Sequence, residues 1–341
     1  MTVLLTGITG LVGCHVAIAL LQRGIRVIAL ARGGEGQSAE NRAMRTLSAY
    51  PGWAGKAAAL SNMLVVEGNL LSVGCGISPD MRTMLRDHVD VVLNCAGAIT
   101  FSAPGDPDPE LRVNTDGLSH VIELASMLKC RRLIHVSTAY VDQGSAGAGY
   151  RTEYERTKHV GEKLLLSRVA DSDLDAVIVR PSIVTGDCRF GFTPVFNGIY
   201  PFFRFAFDRW SFLRDVSVSS WLPTVLQAAS STNLVPAGVL GDVIVGLAEA
   251  WPRDSRIFTF INPSDWPVSE LLHDAADYFH VHMESGRSPL LVSPLKASTV
   301  RAEFGILSKV YRPYAAASPT VMNDSDSVVL TEPQSALLRD R

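Results

Sequence analysis

No two cysteines in this 341-residue chain stand in a Cys-x-x-Cys spacing, and the five present (Cys14, Cys75, Cys95, Cys130, Cys188) are scattered and odd in number. That pattern argues against a disulfide framework or a zinc ribbon and fits reduced thiols. No run of about 18 uninterrupted apolar residues occurs, so no membrane span is expected. Met1-Thr2 leads straight into an apolar strand, without a charged n-region, a long h-region or a cleavage site. No secretory signal is read there, and the expected location is cytoplasmic. A formal net charge of −3 leaves no basic footprint for nucleic acid or for an anionic membrane. His280-Val281-His282 has no carboxylates at ligand spacing, so no metal site is expected. With 47% apolar and 19% charged residues, global disorder is excluded and a large core is affordable.

What is present is alternation. Compact apolar runs at Val3–Thr6, Val27–Leu30, Leu64–Val66, Val89–Leu93, Leu133–Ser137 and Ala176–Val179 read as strands buried on both faces. Helical spacing fills the gaps, at Leu11–Arg23 with Gly24 as its C-cap, Glu110–Lys129 and Arg151–Val169. The expected fold class is α/β: a doubly wound parallel sheet (Rossmann) with a smaller C-terminal substrate-binding lobe. Residues 1–186 form the dinucleotide-binding domain, with 235–262 returning to it through a helical stretch at Val239–Trp251 and a strand at Arg256–Ile261. Residues 187–234 and 263–325 form the lobe, and 326–341 carries little pattern and reads as a disordered tail.

Thr6-Gly7-Ile8-Thr9-Gly10-Leu11-Val12-Gly13 joins the first strand to the first helix. Gly7 serves the tight turn, Gly10 lets the backbone approach a pyrophosphate, and Gly13 permits close helix–strand packing. Thr9, Leu11 and Val12 complete the loop, and the phosphates fall on free N–H groups of the helix N-terminus. The Gly-x-x-Gly-x-x-Gly spacing resembles the short-chain dehydrogenase/reductase superfamily, in its extended branch.

A NAD binder usually ends its second strand in an acid for the ribose 2′-hydroxyl. Here that strand runs into Ala31-Arg32-Gly33-Gly34, and no acid follows until Glu35. Arg32 suits a 2′-phosphate, with Arg42 or Arg45 as a second cation, so NADPH (NADP+) is favoured over NADH. The resemblance further implies that Asn69, with Leu70 in Glu67-Gly68-Asn69-Leu70, lies at the adenine, where the family normally has Asp. It also implies that Cys95, Ala96 and Gly97, which follow Asn94, lie near the nicotinamide, as do Pro181, Ser182 and Ile183.

Tyr154 and Lys158 stand four residues apart on one helical face. A phenol with a pKa of about 10 is a poor proton donor at neutral pH, and a neighbouring ammonium favours its ionised form. The same lysine can bond the nicotinamide ribose. Leu133–Val141 reads as a strand ending in hydroxyls, and ligands sit beyond the carboxyl ends of such strands. By resemblance, Thr138 orients the substrate carbonyl, with Ser137 as the fallback, and Asn114 supports the lysine through a water.

Several segments resemble the fatty acyl-CoA reductase and thioester reductase branch, also called the male-sterility family. They are Asn94–Phe101, Leu111–Gly117, Leu124-Ala125, His135–Val141, Lys158–Leu165 and Arg180–Gly186. Val235-Pro236-Ala237-Gly238-Val239 is similar to a Val-Pro-x-Asp-x-Val motif of that branch, with Gly238 in place of the acid. The resemblance implies hydride transfer to an acyl thioester on coenzyme A or a carrier protein, with Tyr154 giving the proton. Collapse of the hemithioacetal then yields an aldehyde, which a second hydride takes to an alcohol.

Two other functions share parts of this pattern. One is a dehydrogenase, epimerase or dehydratase acting on a ketone, a hydroxysteroid-like compound or a nucleotide sugar, although epimerases favour an acid where Arg32 stands. The other is a regulator that senses NADPH without catalysis, and such relatives typically lose the Tyr–Lys pair. The aromatic segment Phe190–Phe212, with Arg204, Arg209 and Arg214 nearby, suits core and lid packing. It also suits an acyl tunnel with a cationic mouth, or a homodimer contact.

Overall fold

A computed structural model gives the fold. It describes residues 1–34, 36–53, 57–100, 105, 108–141, 149–196, 198, 200–201, 204, 231–253, 256–267, 270–271, 274 and 326–329. The chain divides into two compact units: Met1–Val195 with Val235–Pro263 and Thr320–Arg341, and Phe196–Leu234 with Ser264–Pro319.

The first unit is built on β1 (Thr2–Thr6), β2 (Arg26–Ala31), β3 (Met63–Glu67), β4 (Val91–Asn94), β5 (Arg132–Val136) and β6 (Asp175–Pro181). The strands Ile257–Ile261 and Asp326–Val329 extend the sheet beyond β6. All eight run parallel, in the order β3-β2-β1-β4-β5-β6 followed by those two. The chain winds from β1 outward through β2 and β3, then returns to β1's other side with β4. That reversal opens a crevice at the carboxyl ends of β1 and β4, where a ligand belongs in such sheets.

Strand period explains the layers. Val3, Leu5, Val91, Leu93, Ile134, Val136, Val177 and Val179 enter one core, beneath the helices Leu11–Gln22 and Ala237–Glu249. Leu4, Val92, Leu133, Ala176 and Ile178 enter the other, with Leu118, Val121 and Leu165 of the helices Asp116–Met127 and Glu153–Ala170. Each fully buried aliphatic side chain contributes about 1.5–3 kcal/mol. The first helix ends as expected at Gly24, whose N–H reaches the Leu21 carbonyl at 3.1 Å while Ile25 N–H reaches Leu20 at 3.1 Å.

Three boundaries differ from the sequence reading. The stretch read as one helix over Glu110–Lys129 is a 3-10 turn, Pro109–Asn114, then the helix Asp116–Met127. The break at Thr115 (φ −117°, ψ −71°) follows from Asn114, whose side chain is committed to tertiary partners. Asp187–Val195, grouped by pattern with the lobe, packs in the first unit because Asp187 and Phe192 meet Tyr50. The tail read as patternless contributes Asp326–Val329 as an edge strand, where pairing with Phe258–Ile261 supplies the order.

In the second unit, Ser231-Thr232 pairs antiparallel with Trp266-Pro267, and Asp265 accepts from Asn233 Nδ2 at 2.8 Å. Phe196 and Tyr200 meet edge-on at 6.0 Å. The remaining aromatics of the 190–212 segment from Phe202 onward, with Arg209 and Arg214, lie outside the described residues, as does the His280–His282 pair. Among the described residues no helix is long and apolar enough to cross a membrane, and no three His, Cys, Asp or Glu side chains gather as a metal site.

Candidate active site

The glycine loop sits at the crevice between β1 and β4. Gly7 has φ +78°, and a Cβ there would lie 2.7 Å from Ala96 N, so the loop presses against the segment after β4. Gly10 N–H closes the turn onto the Gly7 carbonyl at 2.8 Å. A Cβ on Gly13 would lie 2.1 Å from that carbonyl oxygen. The helix beginning at Leu11 has no side-chain cap and no acid in its first turn, leaving its N–H groups for an anion. Thr9, Leu11 and Val12 are part-buried around them. The loop therefore fits a dinucleotide pyrophosphate.

At the adenosine end the geometry adds detail. Arg42 Nη1 donates to the carbonyls of Arg32 (2.7 Å) and Gly33 (3.2 Å), so Arg42 shapes the loop on which Arg32 stands exposed. Glu67, given no role from sequence, places its carboxylate 2.8 Å from where a Gly33 Cβ would be. The Asn69 side-chain oxygen accepts from Leu71 N–H at 3.1 Å in a local turn, and Leu70 is buried.

At the other end, Thr152 caps the helix Glu153–Ala170 by accepting from Glu155 N–H at 3.3 Å. This fixes the first turn, on which Tyr154 lies part-buried with its phenol beside the Thr138 hydroxyl. Ser137 Oγ, the fallback, has no partner among the described residues. One turn on, Lys158 is buried and Nζ donates to the Val136 carbonyl at 2.9 Å. Burial pulls the Lys158 ammonium down to about 8, against an upward pull from Glu162 and Cys95. Burial also pushes the Tyr154 phenol above its usual value, and the nearby Thr138 hydroxyl opposes that. The lysine-driven activation read from sequence is thus not the dominant influence on Tyr154 in this state.

Asn114 is locked: Nδ2 donates to Ala98 O and Thr157 Oγ1, and Oδ1 accepts from Ala98 N–H, each at 3.1 Å. Lys158 Nζ lies 2.9 Å, and Asn114 Oδ1 3.2 Å, from where a Gly97 Cβ would be. Gly97, Lys158 and Asn114 therefore converge, with part-buried Cys95 and Ala96 beside them. Pro181 and Ser182 are buried at the end of β6, followed by part-buried Ile183, and the Pro181 carbonyl accepts from Ala139 N–H at 2.8 Å.

Sequence reasoning gave no role to three further groups. Glu162 and Arg180 form a buried ion pair at 2.6 Å behind Lys158. Glu153, in the first turn, accepts from Gly105 N–H at 2.9 Å and pairs with Arg156. Thr6, Asn94 and His135 link across β1, β4 and β5 (Thr6 Oγ1 to Asn94 Oδ1 2.6 Å, Asn94 Nδ2 to His135 Nδ1 3.1 Å). A polar residue at an inward strand position was the available signal for the last group.

Residues 5–213 match the family model described as male sterility protein. The chain is 27% identical over 214 residues to the L-2-aminoadipate reductase large subunit of Eremothecium gossypii, covering 54% of this chain. It spans only 15% of that relative's length. Among solved structures it resembles the terminal R domain of the myxalamid PKS-NRPS biosynthetic pathway (TM-score 0.64, 20% identity, 100% of this chain and 85% of that one). It also resembles a thiolation-reductase di-domain of an archaeal non-ribosomal peptide synthetase (TM-score 0.65, 16% identity, 99% and 89%). With its glycine loop, its sheet order and this match over more than half its length, the chain belongs to the male sterility protein family, within the extended short-chain dehydrogenase/reductases.

Proposed function

We propose that the protein reduces an acyl thioester, carried on coenzyme A or on a carrier protein, to an aldehyde or alcohol, with NADPH as reductant. The observation that carries the reading is the Tyr154 phenol beside the Thr138 hydroxyl, one helical turn from a buried Lys158 whose Nζ donates to the Val136 carbonyl. The substrate class rests on the relatives' names: an aminoadipate reductase, and reductase domains of peptide and polyketide assembly lines, one joined to a thiolation domain.

The bound dinucleotide supplies the hydride. Gly7, Gly10 and Gly13 admit its pyrophosphate, while Cys95, Ala96, Gly97, Pro181, Ser182 and Ile183 line the nicotinamide end. Thr138 and Tyr154 hold the carbonyl oxygen, and Tyr154 passes its phenolic proton to that oxygen as negative charge builds there. Lys158, cationic below about pH 8, offsets the phenolate left behind. Asn114 keeps Gly97 and the lysine in register.

Arg32, on the loop that Arg42 braces, favours the 2′-phosphate of NADPH. A second reading, NADH, rests on Glu67, whose carboxylate beside Gly33 suits a ribose hydroxyl. The ratio of kcat/KM for the two cofactors, in wild type and in Arg32→Ala, decides between them.

The test incubates the enzyme with NADPH and acyl-CoA or carrier-bound thioesters and follows the products by mass spectrometry. Aldehyde or alcohol should form, and Tyr154→Phe should lower the rate by about 10²–10⁴. Turnover of a ketone or nucleotide sugar, with none of any thioester, overturns the proposal.

A further inference from the structure

Thr152-Glu153-Tyr154-Glu155 has the spacing of a capping box at the start of the helix Glu153–Ala170. Thr152 Oγ1 accepts from Glu155 N–H at 3.3 Å, and Glu155 Oε2 reaches back to accept from Arg151 N–H at 2.9 Å. Backbone donors are all that such a box requires. Here a guanidinium joins it: Arg151 Nε donates to Glu155 Oε1 at 3.1 Å, and Nη2 lies 3.1 Å from the same oxygen. The Glu155 side chain is fully buried and that of Arg151 only 17% exposed, so the pair is held largely out of water. The same guanidinium has a second contact, on a different element. Its central carbon stands 5.0 Å from the centroid of the buried Tyr140 ring, within cation–π range. Tyr140 belongs to the segment beyond β5, and its N–H donates to Thr138 Oγ1 at 3.4 Å. Ser137 and Ala139 tie that segment to β6, through N–H bonds to the Val179 and Pro181 carbonyls at 2.8 Å each. Arg151 therefore grips the residue next to Tyr154 and the residue bonded to Thr138.

We propose that Arg151 is a positioning residue that clamps the Thr138–Tyr140 segment onto the first turn of the helix Glu153–Ala170, and so sets the approach of the Thr138 hydroxyl to the Tyr154 phenol. The inference rests on the reading of Thr138 and Tyr154 as the groups that hold the substrate's carbonyl oxygen. Glu155 anchors the guanidinium to the turn, and the Tyr140 ring is the surface it covers. Lysine at position 151 keeps the charge but lacks the planar fork that can bond a carboxylate and lie over a ring at once. Misplacing catalytic groups by about 1 Å costs on the order of a hundredfold in rate, so the loss belongs to kcat. The dinucleotide's phosphates belong to the Gly7–Gly13 loop, a separate element, so cofactor affinity should not follow.

Steady-state kinetics with the preferred nicotinamide cofactor, on whichever carbonyl compound the enzyme accepts, test the clamp. Arg151→Met should lower kcat at least about tenfold while the cofactor KM stays within about threefold. Tyr140→Leu should do the same, and the double variant should lose no more than about threefold beyond the larger single loss, because both changes open one contact. Arg151→Lys should recover part of the loss without reaching wild type. An unchanged kcat in Arg151→Met, a loss confined to the cofactor KM, or losses that multiply in the double variant would each overturn the proposal. If Arg151→Met does not fold, Arg151→Lys carries the kinetic arm: kcat should fall at least about threefold with the cofactor KM unchanged, and wild-type kcat overturns it. A substrate-free arm compares urea unfolding of wild type, Arg151→Lys, Tyr140→Leu and their combination. Their unfolding constants should be non-additive by at least about fivefold, and strict additivity overturns the clamp. Failure to reduce any thioester sinks the function proposed above and leaves the unfolding result standing.

Discussion

The Asp187 carboxylate occupies the space that Gly238 leaves open, with Oδ2 2.7 Å from where a Cβ on that glycine would sit. Tyr50 donates to it at 3.0 Å and Arg189 Nη2 at 2.9 Å, and the Asp187 side chain is fully buried. The motif that this segment resembles has its acid on the helix at position 238. In this chain a carboxylate reaches the same turn from the loop after Gly186.

Gly238→Asp should therefore destabilise the protein by roughly 2–4 kcal/mol, because two carboxylates compete for one set of donors. Adding Asp187→Ala should recover at least about 1 kcal/mol relative to the sum of the single changes. Urea unfolding of the four proteins measures the coupling, and strict additivity would refute it.

Two glycines should respond in opposite directions. Gly13→Ala places a methyl 2.1 Å from the Gly7 carbonyl oxygen, where only backbone movement can relieve it. Dinucleotide affinity should drop by about a hundredfold or more, since the phosphate loop must open. Gly246, in the helix Ala237–Glu249, has nothing within 4 Å of a Cβ. Gly246→Ala should raise stability by about 0.5–1 kcal/mol and leave binding unchanged. Calorimetry and thermal melts test the pair.

Under the proposed function, Lys158 trades stability for catalysis. Its folded pKa, about 8, is below the 10.5 of an ordinary lysine, so between those values the unfolded chain binds the extra proton. Its contribution to stability therefore rises with pH through that window, and the penalty of burying the cation is fully present below about pH 8. The shift corresponds to roughly 3 kcal/mol, from which the Val136 hydrogen bond subtracts about 1 kcal/mol. Lys158→Met should raise the melting temperature at pH 7, lose that pH dependence, and abolish turnover. A lower melting temperature at pH 7 would contradict the assignment.

Glu162→Gln should move the alkaline limb of the pH–rate profile to lower pH, because the carboxylate is what opposes the burial-driven fall of Lys158. It should also cost about 3–5 kcal/mol of stability by leaving Arg180 buried without its anion. An unmoved alkaline limb would separate Lys158 from Glu162.

The elements that use local rules were legible in the sequence. β1, β2, β5 and β6 come from apolar runs, the first helix from its period and Gly24, and the phosphate loop from glycine spacing at a strand–helix junction. Tyr154 and Lys158 share a face because helical spacing alone puts them there. Thr138, beyond the end of β5 at Val136, is the hydroxyl that acts on the Tyr154 phenol, while Ser137 Oγ finds no partner among the described residues.

Tertiary structure decided whatever depends on long-range register. Glu67 reaches Gly33 because β3 pairs beside β2, with Ala31 opposite Glu67. His135 meets Asn94, and Asn94 meets Thr6, only because three strands separated by helices align in one row. The expected effect of Lys158 on Tyr154 was a local inference that burial overrode, since the cost of desolvating both groups is set by what packs around them. Local period determined which residues face inward. Their partners, and hence their proton affinities, were left to the packing of the sheet.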